Sequence, residues 1–359
     1  MRKKRNWMAI LLCMGLVTGL FAGCGSKEEP AKETAAGETK EETAKEETSE
    51  TEGDVIKIIS AGNNPEEHFQ SIAMDAFEEY VEEHSNGTMQ VETYPNQQMG
   101  ADGEVLEGTQ LGNIQVGYAN CSNVATVSDT LFILDHPFLF SSDEQAYEVL
   151  DGEVGDYMLA SLEDAGLVGL GWLDNGFRQL TCNVEVHTPA DLKGQKIRTM
   201  ENPLQMAAWE MLGAAPTPMA YSEVFTGLQQ GTIDGQENPI GNIAAMKFYE
   251  VQDYCIFTNH IYSANPIFMN KAFFDGLTEE QQQIIREAGA YAVQVSREKR
   301  MEQDKDYLAT IEENCTVINL TDDEAQSFKD AVKGMYDKVT EKAGQEIVDM
   351  MYDACGLTK

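Results

Sequence analysis

The chain has 359 residues, 42% of them hydrophobic, with 25 Lys+Arg against 61 Asp+Glu and a formal charge of −36. That length predicts about two domains with sizeable cores, and the acidic balance excludes polyanionic partners such as nucleic acid, whose phosphates need a basic footprint. The charge is uneven: residues from 54 onward carry 17 bases against 51 acids, a balance of −34, and positions 58 to 177 hold no Lys or Arg.

Arg2, Lys3, Lys4 and Arg5 precede the apolar run Trp7–Phe21. This pattern reads as the n-region and h-region of a secretion signal over residues 1–23. The run is shorter than the about 20 apolar residues a membrane span needs. It ends in Leu20-Phe21-Ala22-Gly23-Cys24-Gly25, which resembles the bacterial lipoprotein cleavage box, with Phe21 where that box usually has Leu. The resemblance implies a lipid on Cys24; an ordinary signal peptide or a signal anchor is the alternative. After Cys24, the segment to Gly53 has ten Glu and four Lys and no Val, Ile, Leu, Met or aromatic residue. It cannot bury apolar surface to offset chain entropy, so 24–53 is expected to be a disordered, extended acidic tether.

From Val55 onward strand-like runs alternate with helical ones. Val55–Ser60 predicts a strand, and 67–83 a helix with Phe69, Ile72, Ala73, Phe77 and Val81 on one face. A strand at Met89–Tyr94, a helix near 104–109 and a strand at 114–118 follow. Residues 144–165 read as one helix and 167–173 as a strand. Further on, helices are expected at 204–212 and 222–230 and a strand at 232–234. Thr278-Glu-Glu-Gln281 and Thr321-Asp-Asp-Glu324 read as capping boxes, the first opening a long helix toward Asn314. The alternation predicts an α/β fold with largely parallel sheets, arranged as two lobes with a late helical layer and a ligand crevice between them.

Catalytic and metal signatures are missing. The five histidines are scattered without metal spacing, no GxSxG elbow or Walker loop occurs, and Gly169-Leu-Gly171 lacks the last glycine of a dinucleotide fingerprint. Cys121, Cys182, Cys255, Cys315 and Cys355 show no CxxC pairing and read as buried small hydrophobes. The chain is therefore expected to be neither an enzyme nor a cofactor or metal protein.

Five arginines follow the signal. Arg286, Arg297 and Arg300 fall on the long helix among Glu, Gln and Lys and read as solvated-face charges. Arg178 and Arg198 each end a strand-like run. A guanidinium offers a planar fork matched to a carboxylate, and in so acidic a body an anion needs local, partly buried cations. Anion binding and pairing with a neighbouring acid both remain open for this pair on charge alone.

Around these residues the chain resembles the solute-binding proteins of tripartite ATP-independent periplasmic (TRAP) transporters, the dicarboxylate and sialic-acid receptor family. The matching blocks are His68, Tyr94-Pro95 with Met99-Gly100, Pro137-Phe-Leu-Phe140, Asp174-Asn-Gly-Phe-Arg178-Gln and Asp191-Leu-Lys-Gly-Gln-Lys-Ile-Arg198. The most specific are Leu212-Gly-Ala-Ala-Pro216-Thr-Pro218-Met219-Ala and Gly231-Thr-Ile-Asp234-Gly-Gln-Glu237-Asn238-Pro239. Phe248-Tyr-Glu-Val-Gln252 and Thr258-Asn-His260 complete them. The resemblance implies a two-lobed binding-protein fold with long C-terminal helices spanning the lobes. Lobe 1 is expected over 54–175 plus about 262–300, and lobe 2 over 176–261 plus about 301–359.

The resemblance also implies a site. It places the carboxylate clamp on Arg198, with Arg178 in support and Asn238 as an orienting amide, and pocket positions on Asp102, Asn120, Met219 and Tyr221. Asn120 stands where sialate-type receptors carry an acid. Trp172 and Asn175 are further candidates; core packing is the commoner role for Trp172, and beside Asn175 it is a candidate stacking platform as well. The implied function is an extracytoplasmic receptor, lipid-anchored to the outer face of the cell membrane or periplasmic. It would capture an organic acid and deliver it to the permease subunits, as a monomer. The base-free stretch, with Asp102 and several amides, favours a hydroxylated monocarboxylate such as a uronic or aldonic acid. A C4-dicarboxylate or 2-oxo acid receptor is the alternative within the family. A receptor of an ATP-driven importer and a secreted hydrolase are the alternatives outside it.

Overall fold

The structure is a computed structural model describing residues 55–358. The expected signal peptide (1–23), Cys24 and the tether to residue 53 lie outside the described residues. Among those described, no helix is long and apolar enough to cross a membrane.

The first half follows the expected alternation. β1 (Ile56–Ala61) leads to α1 (Phe69–His84), β2 (Met89–Tyr94), α2 (Asp102–Gln110), β3 (Val116–Tyr118) and the short α3 (Cys121–Val124). Helix α1 buries Phe69, Ala73, Phe77 and Val81 of the stripe read from the sequence, while its fifth member, Ile72, is only half-buried. Fully burying a large apolar side chain contributes about 1.5–3 kcal/mol. His68 caps this helix, its Nδ1 accepting the Gln70 N–H at 3.2 Å.

The single helix expected over 144–165 is interrupted. α4 (Asp143–Leu150) and α5 (Glu153–Ala160) are separate, and Ser161–Ala165 is a 3₁₀ turn. Helix α5 approaches the end of α4 so closely that a Cβ on Gly155 would lie 1.8 Å from the Leu150 carbonyl oxygen. Only glycine fits there.

β4 (Leu167–Cys182) runs well past the expected end at residue 173. After it come β5 (Lys196–Thr199), α6 (Pro203–Met211), β6 (Ala215–Pro218), α7 (Val224–Gln230), β7 (Gly235–Pro239), α8 (Ile240–Ala245), β8 (Tyr254–Phe257), β9 (Tyr262–Asn270) and α9 (Lys271–Asp275). The strand expected at 232–234 thus starts at Gly235. Both capping boxes form. Thr278 opens α10 (Glu279–Asn314), with the Gln281 N–H donated to Thr278 Oγ1 and the Thr278 N–H to Gln281 Oε1. β10 (Thr316–Asn319) follows, and Thr321 opens α11 (Asp322–Ala331). α12 (Met335–Ala343) and α13 (Gln345–Cys355) end the described chain.

The strand order is β2-β1-β3-β9-β4-β7-β5-β6, with β8 between β4 and β10 off that path. The sheet is mixed rather than largely parallel. β1–β2, β1–β3, β5–β6, β5–β7 and β8–β10 are parallel, whereas β4 runs antiparallel to β9, β7 and β8, and β3 antiparallel to β9. The reason is β4 and β9, long strands that return between the two halves. One half packs Met74, Phe77, Ile267 and Ile285 between α1, the sheet and α10. The other packs Val224, Ile233, Phe248 and Ile311. Helix α10 crosses both, touching α1 and β4 and reaching α8 and β10. The tail, expected in lobe 2, also packs α12 and α13 against Asp129–Asp135, with α13 on α4 and α5.

Candidate functional site

Strand β4 builds the centre of the site. It pairs with β9 from Leu167 to Phe177 and then with β7 and β8 up to Cys182, and its register slips between Asp174 and Gly176. Gly176 has φ +82°, and a Cβ there would lie 2.8 Å from Arg300 Nη1. The bulge turns Asn175 and Arg178 toward a cavity of about 310 Å3 between the two halves. β5 carries Arg198 to the same cavity while Ile197, its alternating neighbour, points into the core.

The two arginines are held differently. Arg178 is 1% exposed. Its Nε and Nη2 donate to the Glu237 carboxylate, and Nη2 also reaches the Glu237 carbonyl at 2.6 Å and Asn238 Oδ1 at 3.1 Å. Burial alone would raise the Glu237 pKa, but Arg178, with the His260 ring nitrogen at 3.0 Å, holds it down to about 2. Glu237 is thus firmly ionised and cancels the Arg178 charge. Arg198 makes no ion pair among the described residues. Its Nε and Nη2 donate to the Met219 carbonyl at 2.9 and 2.7 Å. Burial lowers its pKa to about 10, which still leaves it a cation at neutral pH. Arg198 is therefore the uncompensated positive charge of the cavity.

Across the cavity stands Asp102, in the first turn of α2. It accepts from Asn63 Nδ2 at 2.6 Å, Asn123 Nδ2 at 2.7 Å and the Asn120 N–H at 3.4 Å. Burial raises its pKa to about 6 against the opposing pull of those donors. Amides line much of the remaining wall. Four buried amide oxygens among these lining residues have no protein partner: Asn63, Asn175, Asn242 and Asn265 Oδ1. Such acceptors call for donors from whatever occupies the cavity.

The cavity brings together Arg198, Arg178, Asn238, Asp102, Asn120, Met219, Tyr221 and Asn175. Several do structural work there. Asn120 caps α3 through Ser122 N–H and donates to Ser263 Oγ, and Asn238 Nδ2 donates to Gln236 Oε1 at 2.6 Å. Met219 aims Arg198 through its carbonyl. Tyr221 OH donates to the Asn242 carbonyl at 3.2 Å. Trp172 is not among the lining residues; it is 2% exposed and packed in the core.

Arg300 is no solvated-face charge: it is 6% exposed. Its Nε donates to Asp174 Oδ2 at 2.5 Å, Nη2 to Asp143 Oδ2 at 2.5 Å and Nη1 to Asp304 Oδ2 at 2.9 Å. Helix α10 turns this residue onto the bulge of β4, where Asp174 also accepts from Tyr147 and Tyr262 hydroxyls. Arg297 is half-buried, pairing with Asp151 at 2.7 Å and lying over the Tyr147 ring at 4.2 Å, whereas Arg286 is exposed and lies over the Phe274 ring at 4.8 Å. The sequence reading missed Glu237 as the partner of Arg178, although the acid stands beside Asn238 in the most specific block. It also missed the dispersed amides Asn63, Asn64, Asn242 and Asn265, which no local pattern marks.

Comparison with known proteins agrees with this geometry. Residues 60–343 match the family model DctP, bacterial extracellular solute-binding protein, family 7. The chain is 38% identical over 268 residues to the 2,3-diketo-L-gulonate-binding periplasmic protein YiaO of Escherichia coli, covering 73% of this chain and 80% of that one. The crystal structure of the sugar acid binding protein of Advenella mimigardefordensis with galactonate superposes at a TM-score of 0.81, with 30% identity, over 84% of this chain and 99% of the other. A TRAP periplasmic solute binding protein from Shewanella oneidensis with bound succinate superposes at 0.80, with 29% identity, over 84% and 99%. Together with the two-lobed fold and the arginine-bearing cleft, these matches place the chain in the DctP family of TRAP solute-binding proteins, receptors for organic acids.

Proposed function

We propose that this receptor takes a hydroxylated monocarboxylate, a uronic or aldonic acid, in preference to a dicarboxylate. The observation that carries the reading is the pairing of one uncompensated guanidinium, Arg198, with four unpartnered amide oxygens in the same cavity. A carboxylate satisfies the Arg198 fork. Hydroxyls can donate to the amide oxygens, whereas a second carboxylate, which only accepts, cannot. Glu237 already neutralises Arg178, so a second anionic group has no free cation to meet. The relatives' ligands support sugar acids and leave the dicarboxylate reading as the alternative, since galactonate and succinate are both bound within this fold.

In this reading the two lobes close over the ligand, a hinge motion that shifts the population from open to closed. The closed form hands the acid to the permease. The protein acts as a monomer tethered outside the cell membrane through Cys24. The basic n-region and the lipoprotein-like box support the tether, and the intact mass of the exported chain tests it: a mature protein not beginning at a lipidated Cys24 ends that part. The ligand reading is tested by a thermal-shift panel of uronates, aldonates, sialate, succinate and malate. Uronates or aldonates should raise the melting temperature most; stabilisation by the dicarboxylates alone would overturn it.

A further inference from the structure

We propose that Gln70 is a positioning residue: from behind the cavity wall it fixes which way the lining amides point, and so makes the wall favour ligand groups that donate hydrogen bonds over groups that only accept them. The inference rests on the monocarboxylate reading above and names the residue that gives the amide oxygens their sense.

Gln70 is wholly buried in the first turn of α1 and is not among the residues lining the cavity. Its Nε2 donates to the Asp174 carbonyl at 2.9 Å. A backbone carbonyl can only accept, so this contact decides how the glutamine amide is turned and leaves Oε1 as its accepting end. That oxygen takes two hydrogen bonds, from Asn64 Nδ2 at 2.7 Å and from Asn265 Nδ2 at 3.1 Å. Both asparagines line the cavity. With its nitrogen drawn back to Gln70, Asn265 has its Oδ1 left without a protein partner. Asn64, its nitrogen committed in the same way, offers Oδ1 to Asn242 Nδ2 at 3.4 Å. Asn242 Nδ2 also donates to the Tyr221 hydroxyl at 3.2 Å, so the end of Asn242 left unpartnered is again Oδ1. The sense of three asparagines thus descends from one backbone carbonyl through one glutamine.

An asparagine free to turn can offer a ligand either its oxygen or its nitrogen. Held as they are, Asn242 and Asn265 offer only acceptors. A hydroxyl can donate to them, whereas a carboxylate or keto oxygen, which only accepts, finds no donor there; specificity arises from the unpaired polar groups the wrong ligand leaves behind. A structural explanation is available: Gln70 also ties α1 to β4. That role would change stability but not the ratio of two ligands.

The test compares galactonate with succinate by calorimetry on the full chain. Wild type should prefer galactonate. Gln70→Met, similar in length but without the amide, lets the asparagines turn and should narrow that preference by about fivefold or more, the equivalent of one net hydrogen bond. Gln70→Glu at about pH 5, where burial keeps the new carboxyl protonated with one donating and one accepting oxygen, should keep the preference. A preference unchanged in Gln70→Met overturns the role of Gln70 and leaves the monocarboxylate reading standing. A preference lost as fully in Gln70→Glu as in Gln70→Met overturns it too. Independently of any variant, a crystal structure of wild type with galactonate should place ligand hydroxyls within hydrogen-bond distance of Asn242 and Asn265 Oδ1, and hydroxyls that reach neither oxygen would refute the proposal. Wild type that prefers succinate removes the reading beneath it.

Discussion

At the scale of single residues, the site depends on how each charge is compensated. Arg178 and Arg198 look alike in sequence, both closing strand-like runs, but Glu237 and His260 stand behind one and a backbone carbonyl behind the other. Truncating one partner of a buried charge contact costs roughly 2–5 kcal/mol. Arg198→Ala is therefore expected to weaken ligand binding by about 30-fold to several thousand-fold, at roughly tenfold per 1.4 kcal/mol. Arg198→Lys should also weaken it, because a point charge cannot replace the fork. Normal calorimetric affinity in Arg198→Ala would refute the clamp. The identity of this residue was legible in the sequence because cations are so rare upstream of it. The amide oxygens were not legible, because Asn63, Asn175, Asn242 and Asn265 come from distant segments and meet only in the folded cavity.

At the scale of elements, local rules worked wherever the signal was local. The two capping boxes fixed the starts of α10 and α11, and the apolar stripe fixed α1. They failed where tertiary contact decides. β4 continues past residue 173 because β7 and β8 supply partners for its second half. Arg300 is buried because α10 lies across the β4 bulge, which a helical wheel cannot show. One guanidinium there donates to three carboxylates and to the Tyr147 hydroxyl, and Asp174 accepts in addition from the Tyr147 and Tyr262 hydroxyls. Removing one partner of such a buried pair typically costs about 3–5 kcal/mol. Arg300→Met should accordingly lower the melting temperature by more than about 6 °C at about 2 °C per kcal/mol. Arg297→Ala removes a half-buried guanidinium whose partner Asp151 is exposed and which lies over the Tyr147 ring at 4.2 Å, and should shift it less than Arg300→Met. Equal melting temperatures for both variants would show that the cluster does not pin the strand.

At the scale of the whole molecule, burial of acids shapes the response to pH. Asp102, Asp135 and Asp304 each have pKa values raised by burial to about 6. An acid raised above its unfolded value holds its proton more tightly in the fold, so its contribution to stability falls as pH rises from about 4 to 6. Glu237 works in the opposite sense: held down to about 2, it stabilises the fold above its unfolded value near 4.5, and that stability disappears as pH falls toward 2. The large negative charge adds self-repulsion as carboxylates ionise. Without ligand, the melting temperature should therefore rise as pH falls from about 6 to about 5 and fall below about pH 4. A profile that rises steadily from pH 5 to 8 would contradict the buried-acid account. Asp135 also ties the halves together, accepting from Ser122 Oγ at 2.5 Å and Asn202 Nδ2 at 2.7 Å.

By itself the sequence determined the alternating α/β plan, the helix starts, the resemblance to organic-acid receptors and the two arginines on which an anion could be held. These follow from periodicity, capping chemistry and the scarcity of cations, all properties of neighbouring residues or of composition. Only the tertiary structure decided which arginine is free, where Trp172 and Arg300 point, and how scattered amides surround one cavity. Charge compensation and cavity lining depend on residues far apart in the chain. Their meeting is fixed by the β4 crossing and the α10 helix that spans it, which no local pattern records.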